Sequence, residues 1–252
     1  MDARSILTVL VDLGKHAETV PFVDRLLRAV DGVQAHGWQR HCMWPGAMLM
    51  AQLLEHPPST LNLVLRLPAR NELDVRIVDD LVDGLRSLTP HAVGLVAAVA
   101  VTPADWSDLN HVSSFLQADA DRSAAAAAGL FEVFACLMAD VALVEVDGAD
   151  LACFLGPASA PSFLIDAAWG PGTGLRVVGC STVQPVARGA VASLATTIAS
   201  EPMVGSMRAL HRALIERRVY GDVAMSVTSG LFKAAPSRQQ DEWPVRILCR
   251  PV

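Results

Sequence analysis

The segment LRVVGCSTV places a thiol and two hydroxyls directly after a strand-like apolar run. Cys180 follows Gly179 and precedes Ser181 and Thr182, which predicts a cysteine at the carboxyl end of a strand. Such a thiol suits nucleophilic catalysis when a nearby positive group favours its thiolate, because at its ordinary pKa of about 8.5 it is mostly protonated at pH 7. The alternative is a buried structural cysteine, since free cysteine is among the most buried residue types.

The sequence does not select the histidine that would activate this thiol. No histidine lies between His111 and Cys180, and His111, His91 and His211 are all candidates for an approach in space. We take Cys180 and His111 as the predicted catalytic residues.

A second group of chemically versatile side chains occurs in HGWQRHCMW, which contains His36, His41 and Cys42. Imidazole and thiolate both suit zinc, but no fourth ligand is evident. We therefore interpret the segment as an aromatic-rich loop that packs Trp38 and Trp44. The sequence predicts neither a metal nor a cofactor.

Two other features bear on ligand binding. The glycine-rich run from Gly170 to Gly174 lacks the Gly-Lys-Ser/Thr sequence of a phosphate-binding loop and precedes a strand, so it predicts a turn. Asp12 and Thr102 follow apolar runs, and ligands in α/β sheets bind outside the carboxyl ends of strands. Asp12, Thr102 and Cys180 are thus candidates for one ligand-binding edge, or for an ordinary loop-bearing rim.

The elements that would position these residues are apolar strands alternating with amphipathic helices. Strand-like runs occupy 6–11, 61–67 and 92–101, and helical periodicity is clear over 73–85. Runs that are apolar throughout are typical of strands covered on both faces. The sequence therefore predicts an α/β fold, a mostly parallel sheet with helices on both faces in three layers, as a single domain over 1–252.

Composition excludes several classes of protein. The 252 residues are 52% hydrophobic and only 18% charged, with a formal net charge of −6. This charge disfavours nucleic-acid binding, because no basic stripe is present to neutralise phosphates. No apolar stretch approaches the roughly 18 residues of a membrane span. The amino terminus does not resemble a secretory signal, and the five scattered cysteines do not form a disulfide framework, so we expect a cytoplasmic protein.

The carboxyl-terminal third resembles the closing part of CHAT-type, caspase-like cysteine peptidases. The shared order is a strand ending VVGCSTV, the segment GAVASLA, the helical segment MRALHRALIERRVYGDVAMSVTSGLF and a tryptophan-led strand WPVRILCRP. The resemblance implies a caspase-like fold with Cys180 in the place of the nucleophile. That family supplies a His-Gly before the cysteine, whereas the only His-Gly here is His36-Gly37, far upstream.

These observations predict a caspase-like cysteine peptidase module, active or inactive, acting on a peptide or protein partner. In the active form, thiolate attack on a peptide carbonyl would give an acyl-enzyme. The alternative is a non-catalytic α/β protein that acts as an interaction or assembly subunit, as a homo- or hetero-oligomer. A third hypothesis is a small-molecule enzyme that uses the strand-end edge.

Overall fold

The structure, a computed structural model, describes residues 6–13, 33–37, 40–44, 53–55, 58, 60–88, 93–137, 151–152, 154–170, 173–182, 191–197, 212 and 243–251. These ranges contain two sheets and two long helices. The strands are β1 (Ile6–Asp12), β2 (Val33–Gly37), β3 (Arg40–Trp44), β4 (Thr60–Arg66), β5 (Val93–Ala100), β6 (Ser114–Gln117), β7 (Phe163–Gly170), β8 (Gly174–Cys180), β9 (Val191–Thr197) and β10 (Trp243–Pro251). The helices are α1 (Val75–Leu88) and α2 (Ser123–Leu137).

The first sheet has the strand order β3-β2-β1-β4-β5-β6. Its four strands β1, β4, β5 and β6 pair in parallel, whereas β2 and β3 are added antiparallel at the β1 side. The chain leaves β1 toward one edge and returns to β4 on the other side of β1. This reversal between β1 and β4 is a topological switch point.

The parallel strands are apolar throughout because helices cover both of their faces. Side chains such as Val9, Leu63 and Ala98 form one core with α1, and side chains such as Leu10, Val64 and Ala97 form the other core with α2. Alternate residues of each strand point to opposite faces, so both sets are buried. The predicted α/β class, with helices on both faces of a largely parallel sheet, is confirmed.

Helix α2 differs from α1 in that it lies between the two sheets. Its sequence, SAAAAAGLFEVFACL, has little amphipathic character, and its apolar residues share a core with Leu164 of β7 and Leu248 of β10 as well as with the first sheet. A helix that is apolar on several sides requires partners on several sides. A Cβ built on Gly129 would lie 2.5 Å from Leu164 Cδ2, which shows how closely β7 approaches this helix.

The second sheet has the order β8-β7-β10-β9 and is antiparallel throughout. The strands expected around Cys180 and at the carboxyl terminus are therefore present, but they do not continue the parallel sheet. Because β8 pairs only with β7 among the described strands, it forms an edge of the second sheet. The caspase-like arrangement, in which the cysteine-bearing strand belongs to the main sheet, is not observed.

Several local predictions differ from the structure. The segment interpreted as a loop around His36 and His41 is a hairpin, in which β2 and β3 pair those two residues in register. The run LACFL at 151–155 is strand-like in sequence, but its residues Leu151, Ala152 and Phe154 are helical. A further strand-like run at 141–148 and most of the segments with helical periodicity at 21–32, 46–56, 203–220 and 222–235 lie outside the described residues.

The pairing of β4 with β5 contains an irregularity at Asn62. The register shifts between Leu61 and Leu63, and the buried Asn62 Oδ1 accepts a hydrogen bond of 2.9 Å from the backbone N–H of Leu95. A Cβ on Gly94 would lie 1.9 Å from the Leu61 carbonyl oxygen. A glycine is therefore required here for the close approach of the two backbones.

Within the ranges given above, no helix is long and apolar enough to cross a membrane.

Candidate functional site

Asp12 and Arg66 form an ion pair at the switch point of the first sheet. Asp12 ends β1 and Arg66 ends β4, and the parallel register places them directly opposite one another. Arg66 Nη1 lies 3.0 Å from Asp12 Oδ1 and 2.9 Å from Asp12 Oδ2. The side chains are 20% and 26% exposed, so solvent reaches the pair at the carboxyl edge of the sheet.

The first turn of α2 completes this group, which we call the switch-point cluster (Asp12, Arg66 and Ser123). Arg66 Nε donates a hydrogen bond of 3.0 Å to Ser123 Oγ, and Ser123 Oγ donates to the Ala120 carbonyl at 3.0 Å. Ser123 is the first residue of α2, so the helix begins beside the ion pair. The amino end of a helix carries partial positive charge and favours anions.

The hydroxyls that follow Cys180 have a structural role at the junction of the two sheets. The Ser181 N–H donates to the Leu164 carbonyl at 2.7 Å, as expected for the β7–β8 hairpin. The return bond, however, runs from the Leu164 N–H to Ser181 Oγ at 3.0 Å. The hydroxyl thus replaces the Ser181 carbonyl, which instead accepts a bond of 2.8 Å from the Asp119 N–H beyond β6.

Further bonds strengthen the same junction. Ser181 Oγ donates to the Gln117 carbonyl at 2.7 Å, and Thr182 Oγ1 donates to Asp119 Oδ1 at 3.2 Å. Arg122 Nη1 donates to the Cys180 carbonyl at 2.9 Å. The residues after Cys180 therefore join the end of β8 to the carboxyl end of β6 and the start of α2.

A cleft of about 290 Å³ lies between the start of α2 and the β7–β8 hairpin. Its wall comprises Arg122, Ala125, Ala126, Leu164, Asp166, Val178, Gly179, Cys180 and Ser181. Cys180 is half-buried here as a free thiol. Burial raises the pKa of the Cys180 thiol, and this outweighs the lowering by backbone hydrogen bonds and by Arg122. The surroundings therefore favour the thiol over the thiolate.

The structure does not bring His111 and Cys180 together. His111 Nε2 lies 3.1 Å from Asp83 Oδ1, and Arg86 Nη1 lies 2.8 Å from His111 Nδ1. Both of these partners belong to α1, on the face of the sheet opposite α2. In addition, His111 precedes β6, whereas the residues after Cys180 bind at the other end of β6.

The remaining candidates are placed as follows. Asp12 belongs to the switch-point cluster, and Thr102 follows β5 as an exposed residue on the same edge of the sheet. Gly170 and Gly174 pair where β7 meets β8, with Gly174 at φ +70°; residues 171–172 of the predicted turn lie outside the described residues. Among the side chains that the structure describes, no group of three or more from His, Cys, Asp or Glu could hold a metal; those of His36, His41 and Cys42 are not among them, although the backbone of these residues is described.

Reasoning from sequence missed Arg66 and Ser123. Arg66 is the single charged residue in the apolar run LNLVLRL, and a lone charge near the end of a buried strand indicates a partner. Ser123 begins the alanine-rich segment after Asp119-Ala120-Asp121-Arg122, a position typical of a helix start.

Comparison with known proteins gives structural neighbours only. No protein-family model matches the chain, and no curated protein matches it. It is similar to a solved FtsZ dimer from M. jannaschii, with 8% identity over 82% of this chain and 67% of that one, at a TM-score of 0.47. It is also similar to an FtsZ mutant from the same organism, with 8% identity over 95% of this chain and 76% of that one, at a TM-score of 0.49. A GTPγS-bound CetZ2 protofilament from Haloferax volcanii has 13% identity over 80% of this chain and 68% of that one, at a TM-score of 0.45.

The prediction of a CHAT-type, caspase-like cysteine peptidase is wrong. The three similar solved structures named above are FtsZ and CetZ proteins, and Cys180 ends an edge strand of a separate antiparallel sheet in the part of the chain that the structure describes. The resemblance failed because its shared elements, a small-residue strand end and a tryptophan-led strand, are compatible with antiparallel pairing as well. These neighbours also give no specific support to a non-catalytic assembly subunit.

Proposed function

We propose that the chain binds a small phosphate-bearing ligand of the nucleotide class at the carboxyl edge between β1 and β4. The observation that carries the proposal is the convergence of Asp12, Arg66 and Ser123 at the switch point. In open α/β sheets the crevice at such a point is the general place for a ligand. This is the small-molecule hypothesis in its binding form, with no reaction assigned.

The charges of the cluster suit a ligand that has both a phosphate and hydroxyl groups. Arg66 uses Nη1 for Asp12 and Nε for Ser123, and Nη2 takes part in neither contact. A guanidinium and the amino end of a helix together favour a phosphate. A carboxylate beside them accepts hydrogen bonds from sugar hydroxyls, as acidic residues do in dinucleotide-binding folds.

The test is binding of ATP, GTP, CTP and inorganic phosphate, measured by isothermal titration calorimetry on the full chain. Arg66→Gln removes the guanidinium, and we expect it to weaken nucleotide binding at least tenfold. Arg86→Gln removes the same charge from the opposite face of the sheet and should leave binding unchanged. Absence of binding by the wild-type chain, or equal loss in both variants, would refute the proposal.

We also propose self-association through the edge strand β8. Val177 and Val178 on this strand are 44% and 63% exposed, and an apolar edge strand readily pairs with another strand. We expect Val178→Lys to lower the mass measured by light scattering at a given concentration, whereas Val101→Lys, at an exposed valine elsewhere, should not. A wild-type chain that stays monomeric would exclude this assembly.

A cytoplasmic location remains part of the proposal. It is supported by the wide spacing of the five cysteines and by the free thiols of Cys180 and Cys249, since disulfides are typical of secreted proteins.

A further inference from the structure

Two neighbouring residues, Arg122 and Ser123, lie where the first turn of α2 begins and contact different parts of the molecule. Ser123 accepts the hydrogen bond from Arg66 Nε in the switch-point cluster. Arg122, the residue before it, donates to the Cys180 carbonyl at 2.9 Å and lines the cleft beside β8. A displacement of this turn therefore acts on both places.

The turn is connected to the second sheet by a short series of direct bonds. The Arg122 N–H donates to the Asp119 carbonyl at 2.9 Å, and the Asp119 N–H donates to the Ser181 carbonyl at 2.8 Å. Asp119 Oδ1 also accepts the Thr182 hydroxyl at 3.2 Å. The junction between the sheets and the start of α2 thus form one hydrogen-bonded unit.

The side chains that hold the turn on the switch-point side would also be the ones that bind a ligand. Arg66 contacts Ser123 while Asp12 holds its Nη1. A phosphate that draws Arg66 toward itself would remove the bond to Ser123, so the turn would have one arrangement with Arg66 bound to Ser123 and another without it. Coupling requires such an element with two arrangements, each favoured by a different ligation state.

We propose that the first turn of α2 couples the carboxyl-edge site to the cleft beside Cys180, so that occupation of the site opens the cleft. This inference concerns regulation of the proposed ligand site and rests on that proposal. Linkage makes the effect reciprocal: a molecule bound in the cleft would change the affinity of the carboxyl-edge site by the same factor.

The test uses Cys180 as a reporter of access to the cleft. Alkylation by iodoacetamide is followed at Cys180 by peptide mass spectrometry, with buried Cys249 as the residue that should stay unlabelled in the folded chain. We expect a saturating nucleotide from the calorimetric series to accelerate labelling at Cys180 at least threefold. Arg122→Gln should abolish this acceleration while calorimetry still detects the nucleotide, and Arg86→Gln should preserve it.

A second arm needs no ligand. Asp12→Asn weakens the hold on Arg66 Nη1, and we expect it to accelerate labelling of Cys180 at least threefold in the free chain. If Arg122→Gln does not fold, Arg122→Lys, which keeps the positive charge, replaces it in the labelling test with nucleotide.

The outcomes separate the two proposals. If nucleotides do not bind but Asp12→Asn accelerates labelling, the coupling stands and the proposed ligand is wrong. If nucleotides bind and neither they nor Asp12→Asn changes the labelling rate, the coupling is overturned and the proposed function stands. If the acceleration persists in Arg122→Gln, the first turn of α2 is not the link, and the inference is overturned.

Discussion

Ser181 offers the sharpest test of how the two sheets are held together. Its hydroxyl bonds both Leu164 in β7 and Gln117 at the end of β6, at 3.0 and 2.7 Å. The residue is 6% exposed, so water cannot easily take its place. Ser181→Ala would leave the Leu164 N–H and the Gln117 carbonyl without the hydroxyl.

The expected loss of stability follows from these two bonds. A buried polar group left without its partner costs about 1–3 kcal/mol, and the carbonyl loses less than the N–H because its second lone pair can find another donor. We therefore expect Ser181→Ala to lower the free energy of unfolding by about 2–4 kcal/mol. For a chain of this length, this corresponds to a fall in Tm of roughly 4–16 °C.

The assay is urea unfolding followed by circular dichroism, with Ser159→Ala at an exposed serine as the matched control. We expect Ser181→Ala to unfold at a lower urea concentration. The slope of its unfolding free energy against urea concentration should be unchanged, because the surface exposed on unfolding stays the same. If the two variants unfold within about 0.5 kcal/mol of each other, the range expected for a surface substitution, the hydroxyl is not what joins the sheets.

Two further predictions concern Gly94 and Cys249. Gly94→Ala places a methyl group 1.9 Å from the Leu61 carbonyl oxygen, so β4 and β5 must separate. We expect the free energy of unfolding to fall by at least about 3 kcal/mol. A urea midpoint within error of that of the wild type would contradict the close approach of the two strands. Burial raises the pKa of the Cys249 thiol far above its ordinary value, with a smaller contribution from Cys180. Above about pH 8.5 the unfolded chain therefore loses a proton that the folded chain keeps, and stability should fall as pH rises, by up to about 1.4 kcal/mol per pH unit. Urea midpoints from pH 8 to 10 measure this slope, which should be smaller in Cys249→Ala; an equal slope in both proteins would assign the effect to other groups.

The parts of the fold predicted from sequence are those whose residues are buried on both sides. The runs that became β1, β4 and β5 are apolar without alternation because α1 covers one face and α2 the other. The hairpin of β2 and β3 was missed because its segment, rich in His, Gln and Trp, has neither a continuous apolar run nor a clear period of two.

The second sheet could not be assembled from sequence, for a different reason. The register pairs Phe163 with Cys249 and Ser193 with Cys249, contacts between residues that are far apart along the chain. Apolar patterning identifies a strand but does not specify which other strand pairs with it. The same limit applies to the site: Asp12 was recognised from its position at a strand end, whereas its partner Arg66 became meaningful only when β1 and β4 were aligned in parallel.

The position of β10 in the second sheet has a consequence for synthesis of the protein. β10 lies between β7 and β9, yet it ends about 80 residues after β7 ends at Gly170. At 5–20 residues per second, a ribosome needs roughly 4–16 s to cover that distance. During this interval β7 lacks its central neighbour, and the side of α2 that packs against Leu248 is uncovered. The nascent chain therefore carries an apolar surface for seconds before β10 can cover it, which is the situation in which chaperones bind.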